Sequence, residues 1–495
     1  MTLDALITQN GAAFDAVDVP ILSPEQFRRE ILDGVERGLR ITAYFGERIG
    51  AAKTSLVCVL ADDAENSLSV LSCAVRDRYR SLTPDCPQAH LFEREIAEQC
   101  DVIPEGHPWM KPVRYQSVAL PIPGGTPFFS AEGEVLHEVA VGPVHAGIIE
   151  PGHFRFQCHG ENVLHLEIQL GYQHRGAESF LETAPSPRSM AVAESVAGDT
   201  VIGHALAYCN VVESISRCAV SPRAQALRAV ALELERLSNH IGDLGALCAD
   251  VGFLPSAAYF GRLRGEFLNL LMSLTGNRNG RSFVRPGGVT FDLNDSMPAD
   301  FQARLKAAEY DIQSAARLMF ETPSVLARLE GTGAVSERTC RELGLVGPSA
   351  RSCGMPLDVR SDHPHGAYRF SHIPVSTVSG GDVYARAMVR RIEVERSIQF
   401  LEDHLHDMPE GGQDLRNSAG PLRSGRMTIC LVEGWRGEIA HVAVSGESGV
   451  LRRYKIKDPS FHNWTALAMA LRETPISDFP LCNKSFNLSY AGHDL

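Results

Sequence analysis

The sequence predicts an α+β protein: an N-terminal α/β domain followed by a mostly helical bundle domain with small peripheral β-sheets. Three observations predict it. The chain has 495 residues, about three times the ~150 that one domain takes. Up to about residue 115, strand-like apolar runs alternate with helical patterns. From about residue 189 to 406, apolar residues at three-to-four spacing dominate. Composition agrees, since 44% hydrophobic and 22% charged residues are ordinary globular values that allow a sizeable core.

The elements follow in chain order. SPEQFRREILDGVERG predicts a helix with Ser23 as N-cap and Glu25 close behind it. TSLVCVLAD (54–62) and SLSVLSCAV (67–75) read as buried strands. LFEREIAEQCDVIPEGHPWMKPVRY (91–115) reads as a charged helix running into a Pro/Gly loop. Residues 116–141, with PIPGGTPFF at their centre, read as a linker, so the domains are 1–115 and 142–495. HFRFQCHGENVLHLEIQLGY alternates on both sides of a His-Gly-Glu-Asn turn and predicts a β-hairpin. Helices are expected near 189–215, 222–250, 258–276, 296–328 and 378–406; Leu227, Val230, Leu234, Leu237, Ile241 and Leu244 illustrate the apolar stripe. MTICLVEG, EIAHVAVSG and LRRYKIKD predict a second small sheet, FHNWTALAMALRE a helix, and SFNLSYAGHDL a tail.

Charge and motifs exclude several function classes. Lys+Arg of 47 against Asp+Glu of 60 gives a formal net charge of −13 with no basic block, so nucleic acid is not an expected partner. No window approaches the ~18 uncharged apolar residues of a membrane helix, and the start is acidic where a signal peptide would be basic. The expected location is cytoplasmic, peripheral on the inner face of the cell membrane, with membrane contact through partners only. The 12 cysteines include no C-x-x-C, which argues against a zinc ribbon, a cysteine-held iron–sulfur cluster or a thioredoxin-like pair. Gly331-Thr332-Gly333 lacks the third glycine of a dinucleotide fingerprint, and His363 with His365 has no further metal ligand near in sequence. In 222–250, Glu233, Arg236, Asn239, His240 and Asp243 share a face. A solvated surface is the simpler expectation. Its competitor is a buried polar file leading toward a membrane partner, with Arg262, Arg264, Arg281 and Arg285 as candidates for pairing or for a subunit interface.

Longer strings carry a family resemblance. LFERE…GHPW resembles the F-E-R-E…G-H-P signature of the thirty-kilodalton subunit of the complex I peripheral arm. GPVHAGIIEPGHFRFQCHGENV (142–163), GYQHRGAESFLE (171–182), LELERLSNHIGDLGALCADVGF (232–253), LTGNRNGRSFVRPGGV (274–289), DVRSDHPHGAY (358–368) and GDVYARAMVRRIEVERSI (381–398) resemble, in order, the NiFe-hydrogenase and complex I large-subunit superfamily. The fused formate-hydrogenlyase-type subunits are the nearest look. A NiFe centre in that superfamily needs four thiolates from two C-x-x-C motifs. The early motif, aligned through His204, reads Ala197-Gly198-Asp199-Thr200 here, and the late region DFPLCNKS leaves Cys482 with Ser485. Hydroxyl and aliphatic groups are poor ligands for soft metals, so no metal is expected.

In complex I the corresponding cavity receives a quinone headgroup between a His and a Tyr. His145 or His153 suits the His side, whereas Gly198 stands at the Tyr position. Glu150 falls where the hydrogenases carry a proton-relaying Glu. The resemblance thus implies Glu150, Asp199, Thr200 and His204 as catalytic candidates and His145, His153 and Cys482 as cofactor-binding candidates, converging on one cavity. It implies no tightly bound cofactor on this chain, quinone as an acceptor, and an iron–sulfur cluster in a small partner subunit beside membrane-embedded ion-translocating subunits. The function so implied is a peripheral-arm subunit of a complex-I-like oxidoreductase or energy-converting-hydrogenase-related complex. The alternative is a non-catalytic scaffold or coupling subunit.

Overall fold

The computed structural model describes residues 3–50, 53–115, 125–133, 135–145, 149–410 and 415–495. Much of the expected linker and Ala146 to Ile148 of the hairpin loop lie outside them. Helix α1 (Pro24–Glu36) starts at Ser23, which accepts from the Gln26 N–H while the Gln26 side chain reaches back. This is a reciprocal capping box whose partner is Gln26 rather than Glu25. Strands β1 (Arg40–Arg48), β2 (Thr54–Asp62) and β3 (Ser67–Val75) pair antiparallel in sequence order. Leu56, Cys58 and Leu60 pack with Phe27 and Ile31 of α1 and with Phe92 of α2 (His90–Cys100). The alternate residues Val57, Val59 and Ala61 face Ile429, Leu431 and Val442 of the second domain. Both faces are covered, which is why these strands read as uninterrupted apolar runs.

In the second domain, β4 (Leu136–Val141), β5 (His153–His159) and β6 (Asn162–Gln169) form one antiparallel sheet. Strand β4 lies within the stretch read as linker. Helices α3 (Val201–Ser216), α4 (Pro222–Asp250), α5 (Leu254–Thr275), α6 (Met297–Glu321) and α7 (Val383–His406) form the bundle. The segment expected at 189–215 is two helices, Pro187–Ala193 and α3, separated by the loop that carries Ala197 to Thr200. Strands β7 (Arg426–Gly434), β8 (Gly437–Ser445) and β9 (Leu451–Lys457) make the last sheet, which Ala13–Asp15 of the first domain extends beside β7. Helices α8 (Pro459–Ala470), α9 (Phe479–Phe486) and α10 (Tyr490–Asp494) follow, and the residues read as a tail, Tyr490 to Leu495, are buried.

Buried ion pairs bolt the domains together. Arg40 Nη2 lies 2.6 Å from Glu438 on β8, and Asp63 accepts from Arg40 at 2.7 Å and contacts His363 Nε2 at 3.0 Å. The F-E-R-E string belongs to this arrangement: Glu93 accepts from the Ser81 and Thr83 hydroxyls, Arg94 donates to the Lys111 and Pro112 carbonyls, and Glu95 pairs with Lys455 on β9.

The solvated reading of the α4 face is corrected by the structure. Glu233, Arg236 and His240 are 0% exposed, Asp243 3% and Asn239 8%. The helix runs through the middle of the bundle, and charge partners arrive from other segments: Arg360 and Tyr368 on Glu233, Glu393 on His240, Arg390 on Asp243. Three-to-four spacing reports a shared face, not what covers it. Arg262 and Arg285 are spent elsewhere, on Asp311 and Glu194.

Candidate functional site

The loop before α3 is fixed from below by α4 and from the side by the β7–β8 turn. Glu235 accepts from the Ile202 and Gly203 N–H groups at 2.7 and 3.2 Å, placing a carboxyl group at the helix N-terminus. Burial pushes the Glu235 carboxyl up to about 8, against those two N–H bonds. The Asp199 carbonyl accepts from Asn239 Nδ2 and from Trp435 Nε1, each at 3.0 Å. These bonds leave the Asp199 side chain at the loop's open edge.

Arg436, in the tight Gly-Trp-Arg-Gly turn, meets it there. Its Nη1 and Nη2 donate to the two Asp199 oxygens at 2.6 and 2.7 Å, a bidentate pair. Nη1 also donates to Thr200 Oγ1 at 3.2 Å, Nε donates to the Asn487 carbonyl, and the guanidinium lies 3.8 Å over the Trp435 ring. Arg436 is 4% exposed on its side chain and Asp199 40%. Crowding works against the Asp199 charge, but Arg436 outweighs it and holds the carboxyl below its ordinary range. Thr200 Oγ1 donates to Asp199 at 3.2 Å, so the acceptor and donor expected at these positions are engaged with each other. Glu150 stands within reach of the Asp199 charge, across what we call the cleft: half-buried, it accepts from the Ala491 N–H at 3.3 Å. Burial raises its carboxyl, the Asp199 charge adding and Arg436 and Arg175 opposing.

The other candidates lie differently. His145 Nε2 is 3.0 Å from the Gly152 carbonyl and His153 Nδ1 is 3.2 Å from that of Gly142, so both rings brace their own loop. His204 is 0% exposed and its Nε2 is 3.0 Å from Asp458. Cys482 is buried in α9 against Gly333 and Arg386, so the thiol and the Asp199 carboxylate do not share a partner. The C-terminal segment that meets the cleft is 487–492 instead: Asn487 through its carbonyl, Ala491 through its N–H, and Gly492 against Asp458, which an added Cβ would approach to 2.6 Å. Sequence reasoning missed Arg436, Trp435, Glu235 and Asn487. The one local signal was the W-R-G turn, where Gly437 has φ +129° and its α-carbon packs against Gly347. His363 is held by Asp63, and no group of three or more His, Cys, Asp or Glu among the described residues is arranged to hold a metal ion.

Comparison with known proteins places this geometry. The family described as "Respiratory-chain NADH dehydrogenase, 49 Kd subunit" matches residues 250–425. Formate hydrogenlyase subunit 5 of Escherichia coli K12 is 30% identical over 446 residues, spanning 85% of this chain and 78% of that protein. The carbon monoxide-induced hydrogenase of Rhodospirillum rubrum is 30% identical over 352 residues, spanning 71% of this chain and 97% of that protein. A chain in the structure of a membrane-bound sulfane sulfur reductase, an archaeal respiratory membrane complex, shares the fold, with a TM-score of 0.69 at 24% identity over 74% of this chain and 100% of that one.

Proposed function

Since the chain belongs to the superfamily that joins the 49 kDa subunit of complex I with the large subunits of NiFe hydrogenases, we propose that it serves a complex-I-like, hydrogenase-related respiratory membrane complex as a peripheral subunit without a NiFe centre. The observation that carries the reading is the Asp199–Arg436 pair. Where the hydrogenase resemblance calls for two thiolates, this chain has a methyl group at Ala197, a hydroxyl at Thr200 and a guanidinium laid across both Asp199 and Thr200. A cation with no lone pair to give is the opposite of a soft-metal ligand set, so these residues do not fit the bimetallic group. Among the described residues no helix is long and apolar enough to cross a membrane, which is consistent with attachment through membrane-embedded partners.

In this reading the cleft between Glu150, Asp199 and the 487–492 segment faces a small iron–sulfur subunit and receives a quinone headgroup or a similar acceptor, coupling electron transfer to ion translocation. Asp199 and Glu150 supply the polar contacts, since they retain unfilled acceptor capacity at its edge. A second reading, a scaffold or coupling subunit, is favoured by the completeness of the Asp199–Arg436–Thr200 bonding, which needs no ligand. Isolating the native complex and assaying it with quinone analogues while recording iron–sulfur signals separates the two. Reduction of quinone that falls in Asp199→Ala while assembly survives supports the redox reading. Turnover indifferent to Asp199→Ala supports the scaffold.

A further inference from the structure

The seam between the two domains holds a cavity of about 120 Å³ that shares none of Glu150, Asp199 and Arg436 with the cleft. Helix α2 and the 109–115 segment of the first domain line one side of it, and β6 and α8 of the second domain line the other. Its walls are largely apolar: Leu91, Trp109, Val113, Leu166, Trp464 and Met469. The size is close to the ~150 Å³ that holds one benzene ring in an apolar protein interior.

Arg94, the arginine of the F-E-R-E string, lines this cavity and is 8% exposed. Its Nε donates to the Lys111 carbonyl at 2.7 Å and its Nη2 to that of Pro112 at 3.1 Å, while the guanidinium lies 4.8 Å from the centre of the Trp109 ring. Nη1 makes no hydrogen bond among the described residues, and no carboxylate there pairs with the group. Glu167 acts on it from a distance, being taken by Lys111 Nζ at 2.5 Å and the Phe129 N–H at 2.8 Å; Glu98 likewise accepts from the Val113 and Arg114 N–H groups. Burial therefore brings the guanidinium down to about 10, with Tyr115, Glu167 and Glu98 opposing. Among the described residues every other buried arginine except Arg386 has a carboxylate within ion-pair distance. Arg386 differs from Arg94 in that all three of its nitrogens donate inside the fold.

The rest of the lining does not supply the missing anion. Lys111 cancels Glu167, and Arg472 stands exposed at the edge with no ion pair among the described residues, so two positive charges are left uncompensated. Burial, with Arg94 adding, holds the His90 ring down to about 3, so it stays neutral beside Thr465 Oγ1 at 3.1 Å. Gln169 is 7% exposed; its Nε2 donates to Thr126 Oγ1 at 3.3 Å, and its Oε1 is buried with no partner. Whichever way round the amide lies, one end of it is unfilled.

We propose that this cavity binds a small monocarboxylate whose apolar body is about one ring in size, with the carboxylate on the Arg94 guanidinium and the body against Trp109 and Trp464. A buried charge with no partner is costly, and an anion in the cavity removes that cost where the fold offers no carboxylate of its own. A bare inorganic anion would leave the tryptophan walls uncovered, which is why the body is apolar. The free end of the Gln169 amide is open to a hydroxyl on that body. Because the occupant touches both domains, it stabilises their joined state by mass action. The inference goes beyond the redox reading and does not depend on it.

The chain has 3 tryptophans, of which Trp109 and Trp464 line the cavity and Trp435 stands at Asp199. The test is 19F NMR of the full chain labelled with 5-fluorotryptophan, each signal assigned by its loss in the matching Trp→Phe variant. Benzoate should move the Trp109 and Trp464 signals saturably and leave that of Trp435 in place. Benzamide has the same shape without the charge and should bind about tenfold more weakly. Inorganic phosphate at the same concentration should not displace benzoate. Shifts confined to Trp435, shifts that do not saturate, equal affinity for benzoate and benzamide, or displacement by phosphate would each overturn the proposal. Arg94→Gln should lower the affinity for benzoate to that for benzamide, and an unchanged affinity would overturn it as well. If that variant does not fold, the comparison of benzoate with benzamide on the unaltered chain decides.

Discussion

Removing either partner of the Asp199–Arg436 pair should have unequal consequences. Asp199→Ala takes away a bidentate pair, but the guanidinium keeps Thr200 Oγ1, the Asn487 carbonyl and the Trp435 face. Because 40% of the Asp199 side chain is open to solvent, screening brings the loss down from the ~3–5 kcal/mol of breaking a fully buried pair toward the ~0–1 of an exposed one. A cost of about 1.5 kcal/mol is expected. Arg436→Ala loses the same pair, roughly 1 kcal/mol of cation–π contact, and the donor to the Asn487 carbonyl at roughly 1–3 kcal/mol. Its cost should be about 4 kcal/mol. The double variant should resemble Arg436→Ala alone, leaving a coupling energy of about 1.5 kcal/mol. Denaturant unfolding of the large subunit within the purified complex, followed for the four members of this cycle, measures all three quantities. Equal single costs, or a double variant that sums them, would refute the view that Arg436 is the buried hub and Asp199 its solvent-facing partner.

Three further outcomes follow from the same geometry. Metal analysis of the purified complex should find no nickel; stoichiometric nickel with hydrogen uptake would sink the reading of the cleft. Glu235→Gln should destabilise by roughly 1–2 kcal/mol, because both carboxyl oxygens accept N–H bonds and an amide nitrogen cannot; unchanged unfolding would mean the α3 start needs no second acceptor. Burial disfavours the Glu438 charge, but Arg40 and Lys457 outweigh it and hold the carboxyl far below its ordinary range. The stability it contributes is therefore complete above about pH 4.3 and lost as pH falls. Glu438→Gln should flatten the acid limb of the stability curve, and an identical slope in wild type and variant would exclude this pair as its source.

Much of the fold was legible because its period is local. The β2–β3 pair, the hairpin, the bundle helices and the last sheet each carry their own pattern, whereas β1 (Arg40–Arg48) was not read from the sequence. What covers an element is not local. The α4 face looked solvated because Glu233, Arg236, His240 and Asp243 have the spacing of a surface stripe, while Arg360, Glu393 and Arg390, which allow them to be buried, come from about 127 to 153 positions away. The cleft was half legible for the same reason. Aligning through His204 found the 197–200 loop, but Arg436 reaches Asp199 across 237 positions and sits in a turn that reads only as a turn.

The buried chemistry also narrows the site by elimination. Most residues that look reactive in the sequence are committed in the structure: His145 and His153 to their loop carbonyls, His363 to Asp63, Glu95 to Lys455, Glu233 to Arg360. A committed atom can rigidify but is open to a ligand only by breaking its bond, at roughly 1–3 kcal/mol each; of these residues, His153 and His363 each keep a second ring nitrogen, Nε2 and Nδ1, that is buried and makes no hydrogen bond among the described residues. Asp199 and Glu150 differ, since each is only partly enclosed and keeps acceptor positions free. Arg436 compensates the charge of Asp199 from behind, so the ion pair on which the metal-free proposal rests also keeps a carboxylate ionised at the edge of the cleft. A ligand that donates hydrogen bonds there meets groups already held in place.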